Sequence, residues 1–341
     1  MLDLPEHWVW DFWVTRAQGT FHGFFLKAPR ALGDPERRHR NSSVGHAVSA
    51  DLTAWSFLPD AAVPQSQPAF DDLAVWTGCV VADPAGGWRM FTTGISVADD
   101  GLVQRIGTSW SPDLITWQRE PTPILEADER WYATQETGQR ETHWRDPWVF
   151  QAGGIWHLVA TAKSAITGTA VVAHAVSSDL VGWEIRPPLS FPSRRFAWAE
   201  VITVMPVLGR WALVFSCMSD QMPYDPPGAG GVWSMPVPEL AFTTAGEYPE
   251  PILDLDDAVR LTSDHLYAGR PVPIGDHEAR FLAFRHHDEG GRFVGGVIDP
   301  LELEWLADGS GLRLVDAAWR PGAGAVSPQA EHPTEESGAR P

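Results

Sequence analysis

Three carboxyl-bearing residues stand in surroundings that pull their chemistry apart. Asp11 lies in the run Trp8-Val9-Trp10-Asp11-Phe12-Trp13, where an ionised carboxylate is costly unless it is paired or functional. Glu200 sits between Trp198 and a long apolar run, an environment that favours the protonated acid. Asp146 follows Arg145, whose guanidinium can hold a neighbouring carboxylate ionised. One carboxyl that donates a proton, with another that attacks an anomeric carbon or activates water, is what cleavage of a glycosidic bond requires. Each residue also has an ordinary reading when taken singly. An Arg-Asp-Pro triplet is commonly a salt-bridged turn, a Glu before a strand is usually solvated, and an Asp near a chain start can cap a turn.

What decides between these readings is the framework that positions the three, and an internal repeat defines it. Ser49-Ala50-Asp51-Leu52-Thr53-Ala54-Trp55 recurs as Ser111-Pro112-Asp113-Leu114-Ile115-Thr116-Trp117 and as Ser177-Ser178-Asp179-Leu180-Val181-Gly182-Trp183. Each copy follows an alternating run, supplies a Ser/Asp turn and returns through a Trp, the pattern of an antiparallel hairpin. The Trp residues recur about every 64 positions, which divides the chain into roughly five units. Short apolar runs such as Trp88 to Thr93, Ile155 to Thr161, Trp211 to Cys217 and Arg280 to Arg285 fill the intervals, and no amphipathic helical period stands out. The expectation is an all-β, five-bladed β-propeller of four-stranded antiparallel blades over residues 1–320, a radial arrangement that also protects sheet edges. From Pro321 onward Gly, Ala, Pro, Glu and Ser dominate, so residues 321–341 are expected to form a disordered tail. In a propeller the inner strand of every blade faces the axis. Asp11, Trp76, Asp146, Glu200 and Tyr267 fall on the blade period and are therefore expected to converge.

Bulk composition narrows the partners. Lys plus Arg number 25 against 44 Asp plus Glu, a formal charge of −19, which repels nucleic-acid backbones and anionic membranes and fits a neutral ligand. The 18 Trp suit both a β core and sugar rings, whose apolar faces stack on indoles. Cys79 and Cys217 sit inside strand-like runs and are expected as buried thiols in a cytoplasmic protein, with no apolar run long enough to span a bilayer. No His-x-x-x-His pattern supports a metal site. Pro226-Pro227-Gly228-Ala229-Gly230-Gly231 lacks the Lys and helix of a phosphate cradle and is expected as a loop. Oligomeric state is left open.

Taken in order, Phe21-His22-Gly23-Phe24-Phe25-Leu26-Lys27-Ala28-Pro29, Gly45 to Ser49, Asp51-Leu52 through Trp55 to Pro59, Trp76-Thr77-Gly78, Arg145-Asp146-Pro147, Ala199-Glu200-Val201 and Tyr267-Ala268 resemble glycoside hydrolase family 32, the invertase, inulinase and levanase group. The resemblance implies retaining cleavage of a β-fructofuranoside through a covalent fructosyl-enzyme, without metal or organic cofactor. It casts Asp11 as nucleophile, Glu200 as acid/base and Asp146 as transition-state stabiliser, with substrate contacts expected from Trp10, Trp76, Arg145, Tyr267 and Lys27. The chain departs from the family pattern at Trp10 and Phe12, where Asn and Pro are usual, at Leu26 for a pocket Gln, at Val44 for a Trp, and at Val201 for a Cys. The given sequence leaves no length for the family's C-terminal β-sandwich, so the propeller is expected to stand alone. Three alternatives remain: an inverting arabinofuranosidase or xylosidase resembling family 43, a fructosyltransferase, and a sugar-binding propeller without catalysis.

Overall fold

The computed structural model describes residues 1–238, 242, 252–275 and 277–315, so the tail expected beyond Pro321 lies outside the described residues. Twenty strands form five four-stranded antiparallel sheets, each built from four strands consecutive in sequence. Blade 1 holds β1 (His7–Ala17), β2 (Thr20–Pro29), β3 (Ser43–Ser49) and β4 (Ser56–Ala62). Blade 2 holds β5 (Ala74–Ala82), β6 (Trp88–Ile95), β7 (Arg105–Ser111) and β8 (Gln118–Arg119). Blade 3 holds β9 (Trp144–Ala152), β10 (Ile155–Lys163), β11 (Ala170–Ser177) and β12 (Trp183–Arg186). Blade 4 holds β13 (Glu200–Val207), β14 (Arg210–Cys217), β15 (Gly231–Pro236) and β16 (Val259–Arg260), and blade 5 holds β17 (Leu266–Gly275), β18 (Glu278–Arg285), β19 (Leu301–Trp305) and β20 (Leu312–Leu314). The first strands of the blades, β1, β5, β9, β13 and β17, contact one another around the axis. This is the five-bladed propeller that the repeat predicts, and helical structure among the described residues is confined to short 3₁₀ turns.

The repeated heptapeptide is the turn between the third and fourth strands of blades 1 to 3. In blade 1 the Ser49 hydroxyl accepts from Leu52 N at 2.9 Å, and Asp51 accepts from Thr53 N and Ala54 N at 2.9 and 3.0 Å. The Trp55 indole donates back to Leu52 O at 3.1 Å. The Leu of each copy adopts a left-handed conformation, with φ of 67°, 66° and 66° at Leu52, Leu114 and Leu180. These backbone donors hold Asp51, Asp113 and Asp179 below the usual carboxylate range. Two of the Trp residues also seal the blades together: Trp117 meets Phe24 of blade 1 edge-on and Trp183 meets Phe91 of blade 2 in the same way. Burying indoles between sheets contributes to the core while the N–H stays satisfied by the turn.

The ring closes between the last blade and the chain start. Leu2 N donates to Val297 O at 3.1 Å, Val297 N returns to Leu2 O at 2.8 Å, and Gly296 N donates to Val9 O at 2.7 Å. Cys79 and Cys217 are both buried and unpaired.

Candidate active site

All five inner strands carry a β-bulge at the same level. One extra residue interrupts the pairing of β1 between Trp10 and Phe12, of β5 between Trp76 and Gly78, and of β9 opposite the Val159–Thr161 step of β10. The same happens in β13 between Glu200 and Thr203, and in β17 between Tyr267 and Arg270. Such bulges re-aim side chains. Asp146, Val201 and Ala268 have φ of 59°, 55° and 48°, a conformation costly for residues with a Cβ and characteristic of functional sites. At Gly78 a Cβ would run into the Phe91 carbonyl oxygen, so the β5 bulge needs glycine there.

The bulges resolve the expected convergence into two adjacent layers. Trp10, Trp76, Arg145, Glu200 and Tyr267 are the last regularly paired residues before each bulge. Asp11, Thr77, Asp146, Val201 and Ala268 follow immediately. The sequence period is correct, but Asp11 and Asp146 stand one residue beyond the level of Trp76, Glu200 and Tyr267. Both layers open into a cavity of about 510 Å³ lined by Trp10, Asp11, Trp76, Arg145, Asp146, Glu200 and Tyr267, among others. Seven of the eight predicted site residues are thus brought together.

Lys27 is the exception and corrects the expectation. It lies on β2 opposite Val9 and Ser43, forms an ion pair with Asp60 of β4 at 2.7 Å, and does not line the cavity. The inner strand β1 stands between the second strand of its blade and the axis, so a β2 side chain at this register reaches its own blade's edge.

The cavity's polar groups form one connected network. The Thr77 hydroxyl donates to Asp11 Oδ2. Arg145 is fixed on one side by Gln104 Oε1 at 3.2 Å and His143 Nδ1 at 3.0 Å. On the other side its Nη2 donates to Glu200 Oε1 at 2.6 Å, and its Nε lies 3.6 Å from Asp146 Oδ2. Tyr267 Oη donates to Glu200 Oε2 at 2.5 Å. Asp146 Oδ2 accepts from Thr161 Oγ1 at 2.9 Å and from Val201 N at 3.2 Å. The apolar surroundings expected of Glu200 are therefore absent: a guanidinium and a phenol take its two oxygens, because the bulge turns its side chain into the cavity and away from the apolar run that follows.

Burial, followed by the nearby Asp146 charge, pushes Asp11 up to about 7 against the pull of Thr77. Burial also raises Asp146, with Arg145 opposing and Glu200 reinforcing. Burial lowers His143 to about 3, helped by Arg145, so the imidazole is neutral and its Nδ1 can accept from the guanidinium.

Several lining residues escaped the sequence reading. Thr77 is adjacent to a named residue, and its separation of 66 positions from Asp11, which fits the blade period, is the signal that could have found it. The 3₁₀ turn Pro35–Arg40 brings Glu36, Arg38 and His39 to the mouth, where His39 O accepts from the Trp76 indole at 2.6 Å. Nothing in the period points to it, because it lies between strands. Of the apolar departures, Leu26 and Val201 line the cavity, whereas Val44 is fully buried in the core of blade 1. The Pro226 to Ala229 stretch lines a second cavity of about 520 Å³ with Arg195, Trp233 and Arg260, apart from the funnel. Among the described residues, no group of three or more His, Cys, Asp or Glu is placed to hold a metal ion.

With this arrangement described, comparison with known proteins decides the lineage. Residues 12–228 match the profile of the glycosyl hydrolases family 32 N-terminal domain. The chain belongs to glycosyl hydrolase family 32. Among curated relatives, the insoluble isoenzyme 7 β-fructofuranosidase of Oryza sativa subsp. indica is 29% identical over 223 residues, covering 63% of this chain and 33% of the relative. The chain thus spans about a third of that relative's length. Among solved structures, the inulosucrase of Halalkalicoccus jeotgali bound to kestose superposes with a TM-score of 0.72 at 19% identity, covering 91% of this chain and 87% of that one. A fructan 1-exohydrolase IIa variant of Cichorium intybus in complex with 1-kestose gives a TM-score of 0.67 at 19% identity, covering 91% and 58%. Both likenesses speak for the fold.

Proposed function

We propose that this family 32 chain is a glycosidase that cleaves a furanoside, namely a β-fructofuranoside of the sucrose or fructo-oligosaccharide type, with retention of configuration. The observation that carries this reading is the meeting of Asp11, Asp146 and Glu200 in the lining of one cavity, where Arg145 bridges Asp146 and Glu200. Ionisation of Asp11 and of Asp146 is opposed in each case by burial and by a neighbouring carboxyl, and acid-assisted cleavage needs a site that holds one proton.

In the first step a carboxylate oxygen of Asp11 attacks the anomeric carbon while the glycosidic C–O bond breaks. Glu200 gives its proton to the departing oxygen. In the second step water attacks the same carbon, its proton passes to Glu200, and Asp11 leaves as a carboxylate. Tyr267 and Arg145 orient Glu200 through both steps. Asp146, held by Thr161 and the Val201 amide, is placed to accept hydrogen bonds from sugar hydroxyls as positive charge develops on the ring. Trp10, Trp76 and Trp198 offer faces for the sugar.

The partner proposed is a small neutral carbohydrate, consistent with the strongly acidic composition. The two buried, unpaired thiols support a cytoplasmic address.

The test is incubation with sucrose, inulin, levan and aryl arabinofuranosides, with NMR of the first anomer formed. Release of β-fructose from a fructofuranoside supports the reading. Release of the inverted anomer, or no cleavage with binding intact, overturns it.

A further inference from the structure

Arg270 follows the β17 bulge and is 1% exposed. Its Nη1 donates to Thr203 Oγ1 at 3.1 Å, and its Cζ lies 4.9 Å from the centroid of the Trp148 ring. Its Nε and Nη2 meet no acceptor among the described residues. Neither contact carries a negative charge. Burying a guanidinium without an opposite charge is strongly unfavourable, and no carboxylate lies within ion-pair distance of Arg270 among the described residues. The carboxylates whose field reaches it are Asp11 and Asp146, since Cys79, pushed up to about 12 by burial, is a neutral thiol.

The other groups facing Asp11 cannot serve as its counter-charge. Asp146 and Glu200 repel it, and Thr77 and Tyr267 are neutral. Arg145 is committed to Glu200 and Asp146; Arg38 feels the Asp11 charge but is held first by Glu36, its ion-pair partner at 2.9 Å, and only Arg270 is prominent among the cations that act on Asp11. Arg270 is left. Burial lowers it only to about 10, so it stays charged in neutral solution.

We propose that Arg270 is a positioning residue whose buried guanidinium favours the ionised form of Asp11, first as nucleophile and then as leaving group. The inference rests on Asp11 being the nucleophile as argued above. When Asp11 attacks, its charge is lost to the new ester bond and Arg270 loses its counterpart. When water displaces the sugar, that bond breaks and the carboxylate returns to face the guanidinium. Arg270 therefore speeds the second step relative to an uncharged residue at the same place.

The experiment is ¹³C-carboxyl NMR of labelled aspartate, with Asp11 assigned from Asp11→Asn, titrated in wild type, Arg270→Met and Arg270→Lys, alongside the pH profile of kcat/KM. In Arg270→Met the Asp11 titration and the acid limb of the profile should move up together by about one unit or more, while Arg270→Lys stays near wild type. An unchanged titration in Arg270→Met, or a shift as large in Arg270→Lys, overturns the role. Should Arg270→Met fail to fold, Arg270→Gln carries the same comparison. The titration needs no turnover. A wild type that cleaves no furanoside sinks the glycosidase reading, whereas an active enzyme with an unmoved Asp11 sinks only the role of Arg270.

Discussion

The outer turns of blades 1 to 3 and the inner-strand bulges of all five blades are both repeated features, yet they repeat different things. The turns repeat residues: in each copy the Ser hydroxyl meets the Asp, the Asp accepts from the two amides that follow the Leu, and the Trp indole donates to the Leu carbonyl. The bulges repeat backbone geometry and change the side chain every time, presenting Asp, Thr, Asp, Val and Ala at one level and Trp, Trp, Arg, Glu and Tyr at the next. Sequence identity is thus spent where blades must be alike, and diversity where five similar strands must supply five different functions to one cavity.

Asp11→Asn strikes the inner layer hardest. Turnover should fall on the order of 10⁴-fold or more with the circular dichroism spectrum unchanged, and near-normal turnover would remove Asp11 from the nucleophile role. The same variant carries a stability signature. Because Asp11 is raised to about 7 in the fold from a reference of 3.8, the folded protein holds its proton more tightly than the unfolded chain. Wild-type stability from this group is full below about pH 4 and lost as pH rises through 7. Asp11→Asn should therefore match wild type near pH 4 and exceed it at pH 8 by up to about 4 kcal/mol in urea titrations; a constant difference across that range would contradict the burial argument.

Tyr267→Phe removes one hydrogen bond to Glu200 and should lower kcat roughly 10- to 100-fold with KM little changed. Steady-state kinetics that move KM alone would assign Tyr267 to substrate binding only. The smallest effect belongs to the outer layer. Asp179→Ala deletes the acceptor of the Val181 and Gly182 amides and should cost about 1 kcal/mol by chemical denaturation, leaving kcat unaltered. A kinetic effect as large as that of Tyr267→Phe would erase the distinction between the layers.

The same contrast explains what was legible in the sequence. The blade architecture could be read because its turn is built from local contacts, Trp to Leu three residues back and Ser to Asp two residues on, so a short motif encodes it. Asp11, Asp146 and Glu200 could be read because rare surroundings and the blade period pointed to them together. Their exact levels could not, since a bulge shifts the facing residue by one without a fixed residue signature. The ion pair that draws Lys27 to Asp60, the His143 and Gln104 grip on Arg145, and the turn carrying Arg38 and His39 all depend on partners distant in the chain. For Glu200, flanking apolar residues misled, because neighbours along a strand point to other faces.

The seam of the ring runs through the chemistry. Blade 1 brings Asp11, and blade 5 brings Tyr267 and Arg270, and these two blades are joined without a covalent link by the pairing of Leu2 with Val297 and of Gly296 with Val9. A slight parting of that join would carry Asp11 away from its cation while every sheet remained formed. Catalysis should then fade on warming before the spectroscopic melt, making activity a gauge of whether the circle is shut.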